Sequence, residues 1–188
     1  LNLKNPVEFN EKLMWLKFNT YYNNDLITQC ADKYRVRDYV KKCGCEEILN
    51  DLIGVYNNIN EIEWKSLPNK FALKCNHGAG YNIICTDKNK LDEEQVKKQL
   101  SKWIKEDYSK IAAEMQYKNI NRKIICEKYI DMGNNKLPTD YKLYCFNGKV
   151  KIILVMKDRE SIVTREFYNE KWERVYLREY EGSPAQPT

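Results

Sequence analysis

The chain has 188 residues, 43% of them hydrophobic and 31% charged, with a formal net charge of +5. That content supports one well-formed core or two small lobes and excludes a membrane-spanning helix, since no run approaches the roughly 20 apolar residues a span needs. Basic and acidic residues are interspersed, which argues against a nucleic-acid surface and fits a small anionic ligand such as a nucleotide.

The opening Leu1-Asn2-Leu3-Lys4-Asn5-Pro6 has no apolar signal core and no Met, so the numbering is expected to begin inside a longer protein. Asn5-Pro6 predicts a helix start, with Asn5 as cap, Pro6 in the first helical position and Glu8 where a capping box places it. Phe9, Leu13 and Leu16 continue at helical spacing. A second helix is predicted from near Asp32, with Val36, Tyr39, Val40 and Cys43 on one side and Gly44 ending it. Residues 48–56 contain a short strand, and Leu67-Pro68-Asn69 is a turn.

Residues 70–85 read strand, glycine-bearing loop, strand. A helix follows from about Asp92, with Val96, Leu100, Trp103 and Ile104 on one face. Glu93–Lys97 and Glu94–Lys98 would support it as pairs one turn apart. Further strands are predicted over 123–130, 140–146 and 149–156, the last two joined by the hairpin signal Asn147-Gly148. Residues 165–168 and 172–177 suggest another hairpin, and the Ser/Pro-bearing tail 182–188 a loop. A helix-rich first half and an antiparallel second half make the expected class α+β.

The seven cysteines are odd in number and contain no Cys-x-x-Cys. They are expected to be free thiols in a reducing, cytoplasmic setting. Cys43-Gly44-Cys45 could hold a metal or form a redox pair, but the chain's single histidine leaves a zinc site short of ligands. No metal ligand is therefore assigned.

Lys74 precedes Gly78-Ala79-Gly80, and Ile83-Ile84-Cys85 continues as strand. Glycines let backbone N–H groups approach phosphate oxygens, and a lysine on the preceding strand adds a point charge. In a Walker loop the lysine follows the glycines and a helix begins there, and in a dinucleotide fold a helix also follows. A strand–loop–strand flap over phosphates remains, with an ordinary turn as the plainer alternative. His77, in the same loop, is a candidate phosphate contact or base.

Several segments in order resemble the TupA-like ATP-grasp family: Asp32-Lys33 with Val36-Arg37, residues 71–80, Ile125-Cys126-Glu127-Lys128-Tyr129-Ile130, Asp140-Tyr141-Lys142, and Phe146-Asn147-Gly148-Lys149. The start, Leu3-Lys4-Asn5-Pro6 with Phe9-Asn10-Glu11-Lys12-Leu13 and Trp15-Leu16, is similar as well. The resemblance implies an ATP-grasp fold with three regions: an N-terminal helical region over 1–66, a small lobe with its glycine flap over 67–130, and the start of a C-terminal lobe over 131–188. It implies that Lys33 and Lys74 lie at the phosphates of ATP, that Gly78 and Gly80 form the flap, and that Lys128 and Ile130 pair adenine through their backbone. Glu127 would add polar contacts there, Lys142 would face the phosphates, and Arg159 and Arg165 would serve the γ-phosphate and acyl-phosphate side. Ile124, Ile125, Tyr129 and Ile130 could line an apolar slot for the base.

ATP-grasp enzymes hold magnesium through late acidic residues, and the carboxylates after Met156 stand in no matching strand context. The chain is thus expected to be incomplete at its C-terminus, with Mg2+ ligands downstream of Thr188. The implied activity is an ATP-dependent carboxylate–amine ligase of cell-surface polysaccharide or polypeptide biosynthesis, acting on a nucleotide and a carboxylate, amine or sugar substrate. A glycosyltransferase is the alternative, although no two aspartates form an Asp-x-Asp pair; a non-catalytic nucleotide-binding module is another.

Overall fold

The computed structural model of the chain describes residues 1–133, 137–158 and 161–176. It divides into two compact units, Leu1–Tyr129 and Ile130–Thr188.

The first unit opens with three short helices, α1 (Phe9–Asn19), α2 (Asp25–Ala31) and α3 (Val36–Lys42). The start of α1 corrects the expected cap at Asn5. The Glu11 carboxylate accepts from the backbone N–H groups of Asn2, Val7 and Glu8, at 2.7, 3.1 and 3.2 Å. That draws residues 2–8 into an extended collar, and helical turns begin only at Phe9. No periodicity announces helix α2, because it buries only Thr28. Its mark in the sequence is Asn24, whose side chain accepts from the Ile27 N–H. The next helix starts at Val36 rather than near Asp32, because Asp32 turns the chain by accepting from the N–H groups of Tyr34 and Arg35. Gly44, at φ +73°, follows the end of α3 as predicted.

Strands β1 (Leu52–Tyr56), β2 (Phe71–Cys75), β3 (Asn82–Cys85) and β4 (Ile124–Lys128) form a sheet in the order β1-β4-β2-β3, with every neighbouring pair antiparallel. Alternation along the strands decides what each face does. Phe71, Leu73 and Cys75 of β2 and Ile124 and Cys126 of β4 are wholly buried. They form one core with Val96 and Leu100 of α4 (Glu93–Trp103). The helix begins where expected, and Asp92 caps it through the Gln95 N–H. Lys97 pairs with Glu93 at 2.5 Å, and Glu94 turns to the same Lys97 at 3.0 Å rather than to the expected Lys98. A short helix α5 (Tyr108–Ala112), which no sequence signal announced, follows.

The second unit is an antiparallel meander, β5 (Asp140–Phe146), β6 (Lys149–Lys157), β7 (Thr164–Tyr168) and β8 (Arg174–Val175), paired in chain order. Asn147 and Gly148 carry φ of 50° and 73°, the doubly left-handed turn that the hairpin signal predicts. The last hairpin is shorter than expected among the described residues, and Leu177 and the tail lie outside them. Among the described residues no helix is long and apolar enough to cross a membrane.

Candidate functional site

The face of the first sheet opposite α4 carries the charged residues. On β2 it presents Ala72 and Lys74, which pair in register with Glu127 and Ile125 of β4. Lys74 and Glu127 are therefore diagonal neighbours on one face, and Lys74 Nζ lies 2.5 Å from Glu127 Oε2. Arg37 reaches the other oxygen of the same carboxylate from α3, at 3.8 Å. The three side chains retain 29%, 11% and 16% exposure for Lys74, Glu127 and Arg37, so water screens them only partly.

Lys33 sits in the turn between α2 and α3, where its Nζ donates to the Gly78 carbonyl. Burial foremost, then the nearby Lys74 cation, pulls its ammonium below the usual lysine range, against the opposing pull of Asp32 and Glu127. Lys74 and Arg37 thus share the Glu127 carboxylate, with Lys33 close enough to feel the Lys74 charge, while Asp32 is engaged by backbone N–H groups and by Asn76. Lys33 Nζ is hydrogen-bonded to a neutral carbonyl, and Lys74 Nζ is paired with the Glu127 carboxylate.

The glycine loop, residues 76–81, joins β2 to β3 and is held from inside. Asn76 is wholly buried, and His77 keeps only 1% exposure. Gly78 is buried, and a Cβ there would stand 2.8 Å from the Tyr108 ring and 2.9 Å from the Tyr81 ring. Its missing side chain serves packing rather than approach to a phosphate. Gly80 at the exposed tip takes φ +75°, and a Cβ there would meet nothing within 4 Å, so this glycine serves the turn.

The loop position of His77 suggested ligand contact, but the ring points into the core. Its Nε2 lies 3.1 Å from the Trp103 carbonyl, and the ring packs 5.6 Å from Tyr81. Burial first, then the Arg122 cation, pushes its pKa below the ordinary histidine value.

The model of the family described as TupA-like ATP-grasp matches residues 11–185. The chain belongs to this family. No curated protein and no solved structure matches it.

ATP-grasp proteins generally use ATP and magnesium. Among the described residues, no three His, Cys, Asp or Glu side chains gather into a metal cluster, so no step is assigned to a metal ion here.

The groups expected at adenine are engaged within the protein. The Lys128 N–H donates to the Asp51 carbonyl at 2.9 Å, and the Lys128 carbonyl accepts from Asn50 Nδ2 at 2.8 Å. The Glu127 carboxylate faces Lys74 and Arg37. Ile130 begins the second unit and is exposed.

Within that second unit Lys142 and Arg165 share a face. Asp140, Met156 and Arg165 form one cross-strand row, and Lys142, Leu154 and Phe167 form the next on the same side. Arg159 lies outside the described residues.

Sequence reasoning did not assign site roles to Arg37, Asp32 or Asn76. Arg37 lies in the first turn of α3, just after the turn that carries Lys33, and no spacing rule links the two. Asp32 and Asn76 meet only in three dimensions, and the hint was a polar residue placed between a buried strand and the glycines.

Proposed function

We propose that this ATP-grasp protein binds ATP on the Lys33–Lys74 face and acts as an ATP-dependent carboxylate–amine ligase in the cytoplasm, building a cell-surface polysaccharide or polypeptide. The observation that carries the reading is the grouping of Lys33 with Lys74 and Arg37 beside the glycine loop. In this reading residues 67–130 serve as the small lobe with its flap and residues 131–188 as the start of the C-terminal lobe. When bound, ATP supplies a phosphoryl group to a substrate carboxylate, and an amine then displaces phosphate to form the amide.

The protein's own part is charge neutralisation and exclusion of water. Lys33 exchanges the Gly78 carbonyl for a phosphate oxygen, and Lys74 leans from Glu127 toward the same charge. Arg37 keeps Glu127 from being left unpaired when Lys74 turns away. By the family resemblance alone, Lys142 stays a candidate for the phosphates, and Arg159 and Arg165 for the γ-phosphate and acyl-phosphate side.

Calorimetric titration with ATP, and with a nucleotide-sugar as competitor, tests the reading. The unsubstituted chain should bind ATP and ignore the nucleotide-sugar. Lys74→Ala, shown folded by circular dichroism, should bind at least about tenfold more weakly, about 1.4 kcal/mol. Equal affinity in the two chains removes Lys74 from the phosphates, and preference for the nucleotide-sugar favours the glycosyltransferase.

A further inference from the structure

We infer that Asn76 is a positioning residue that sets Lys33, the glycine loop and the head of β4 in one fixed geometry. As to its effect on nucleotide binding, this rests on the ATP reading above.

The side chain of Asn76 is wholly buried. Its Nδ2 donates to Asp32 Oδ1 at 2.8 Å and to the Asn121 carbonyl at 2.9 Å. Its Oδ1 accepts from the Lys123 N–H at 2.7 Å. That last contact fixes the amide's orientation, since a backbone N–H must meet oxygen. The backbone joins in as well: the Asn76 N–H donates to the Lys123 carbonyl at 3.1 Å, and the Asn76 carbonyl accepts from the Lys33 N–H at 3.3 Å. One residue therefore ties the corner that carries Lys33 to the segment that leads into Glu127.

Asp32 completes the node. Its Oδ1 gathers Asn76 Nδ2 and the N–H groups of Tyr34 and Arg35, while its own backbone carbonyl accepts from the Val36 N–H at 2.9 Å. The carboxylate that shapes the Lys33 turn is thus held by the residue that opens the glycine loop. Lys33 Nζ closes the circuit on the Gly78 carbonyl.

Such a circuit has a purpose. Lys33 is partly buried near a like charge, and such an ammonium left to itself would swing toward water. Holding both ends of its segment keeps it near Lys74 before any anion arrives, so binding spends less on ordering. Asparagine suits the position because it donates to Asp32 and accepts from Lys123 at once. Aspartate of the same shape would set two carboxylates against each other, and leucine would leave the Lys123 N–H unpaired and take one donor from Asp32.

Two measurements test this on Asn76→Asp, with Val96→Ala as a control that weakens the same unit from its core. The first is hydrogen exchange read by mass spectrometry without nucleotide. Asn76→Asp should raise exchange in residues 33–37 and 76–82 together, whereas Val96→Ala should leave these two segments no more affected than the rest of the unit. The second is ATP titration below the unfolding temperature of both variants. Asn76→Asp should weaken binding at least tenfold, and Val96→Ala less than twofold.

The reciprocal pair Asp32→Asn with Asn76→Asp restores one donor and one acceptor between the two positions, and should recover part of both losses. Exchange that stays at the wild-type level in both segments, or that rises in only one of them, overturns the inference. So does wild-type affinity in a folded Asn76→Asp chain. Failure of the unsubstituted chain to bind ATP defeats the functional reading alone, because the exchange experiment stands without nucleotide.

Discussion

Adding one methyl group at Gly78 should loosen the first unit. The Cβ of an alanine there would meet Tyr108 Cγ and Cδ2 at 2.8 Å and Tyr81 Cε2 at 2.9 Å. Neither ring can retreat cheaply. Tyr81 stacks on Trp103 at 5.3 Å and bonds Glu106 through its hydroxyl at 2.5 Å, and Tyr108 is wedged edge-on between Tyr81 and Tyr117 at 5.4 and 5.1 Å. Overpacking of this kind costs about 1–3 kcal/mol. The lost chain entropy of glycine returns about 0.4–1 kcal/mol, which leaves a net cost of about 1.3 kcal/mol at the middle of both ranges. For a unit of this size that corresponds to a fall in Tm of about 3–10 °C.

Urea unfolding followed by circular dichroism would show a lower midpoint at unchanged slope. Tyr108→Ala removes most of the obstruction, so the cost of Gly78→Ala should fall by at least half in that background. A Gly78→Ala chain as stable as the wild type, or one that costs the same with and without the Tyr108 ring, would refute the packing role of this glycine.

Two further outcomes follow from burial. His77 has its folded pKa pressed below the ordinary value of 6.5, by burial and then by Arg122. The unfolded chain therefore binds a proton first as the pH falls, so the His77 contribution to stability is complete above about pH 6.5 and declines below it. Melting curves between pH 7.5 and 5.5 should show a steeper loss for the wild type than for His77→Asn, and parallel curves would contradict the placement of the ring. Cys75 and Cys126 are wholly buried, and burial pushes both thiols up to about 12, whereas Cys43 and Cys145 are exposed. Iodoacetamide at neutral pH should label Cys43 and Cys145 first, and peptide mass spectrometry that finds Cys75 or Cys126 labelled at the same rate would argue against this core.

The strand–loop–strand at 70–85 and the helix after Asp92 were legible because their buried residues recur at fixed periods. Phe71, Leu73 and Cys75 alternate, and Val96 and Leu100 sit one turn apart. The helix α2 was not legible, since a segment that buries one threonine leaves no periodic trace. The displaced cap of α1 shows a different limit. Asn5, Pro6 and Glu8 form a good local signal, but Glu11 gathers three N–H groups at once and outcompetes it.

At the site, residue type suggested roles for Lys74 and the glycines and the family resemblance one for Lys33, but neither said which way His77 would point. Nor could either reveal that Gly78 is small for the sake of two tyrosines. The partnerships of Arg37 with Glu127 and of Asp32 with Asn76 join distant parts of the chain, and no spacing rule reaches across such gaps.

In the first sheet β4 lies between β1 and β2, yet it is the last of the four strands in the chain. During synthesis the hairpin of β2 and β3 can close as soon as it emerges, since its partners are neighbours. The other edge of β2 must then wait with its ladder unfilled until Ile124–Lys128 has left the ribosome. Over that interval the nascent chain offers an open strand edge to any strand that passes. Slowing translation before Lys128 has cleared the ribosome should therefore raise the share of aggregated product, while a pause after it has cleared should not.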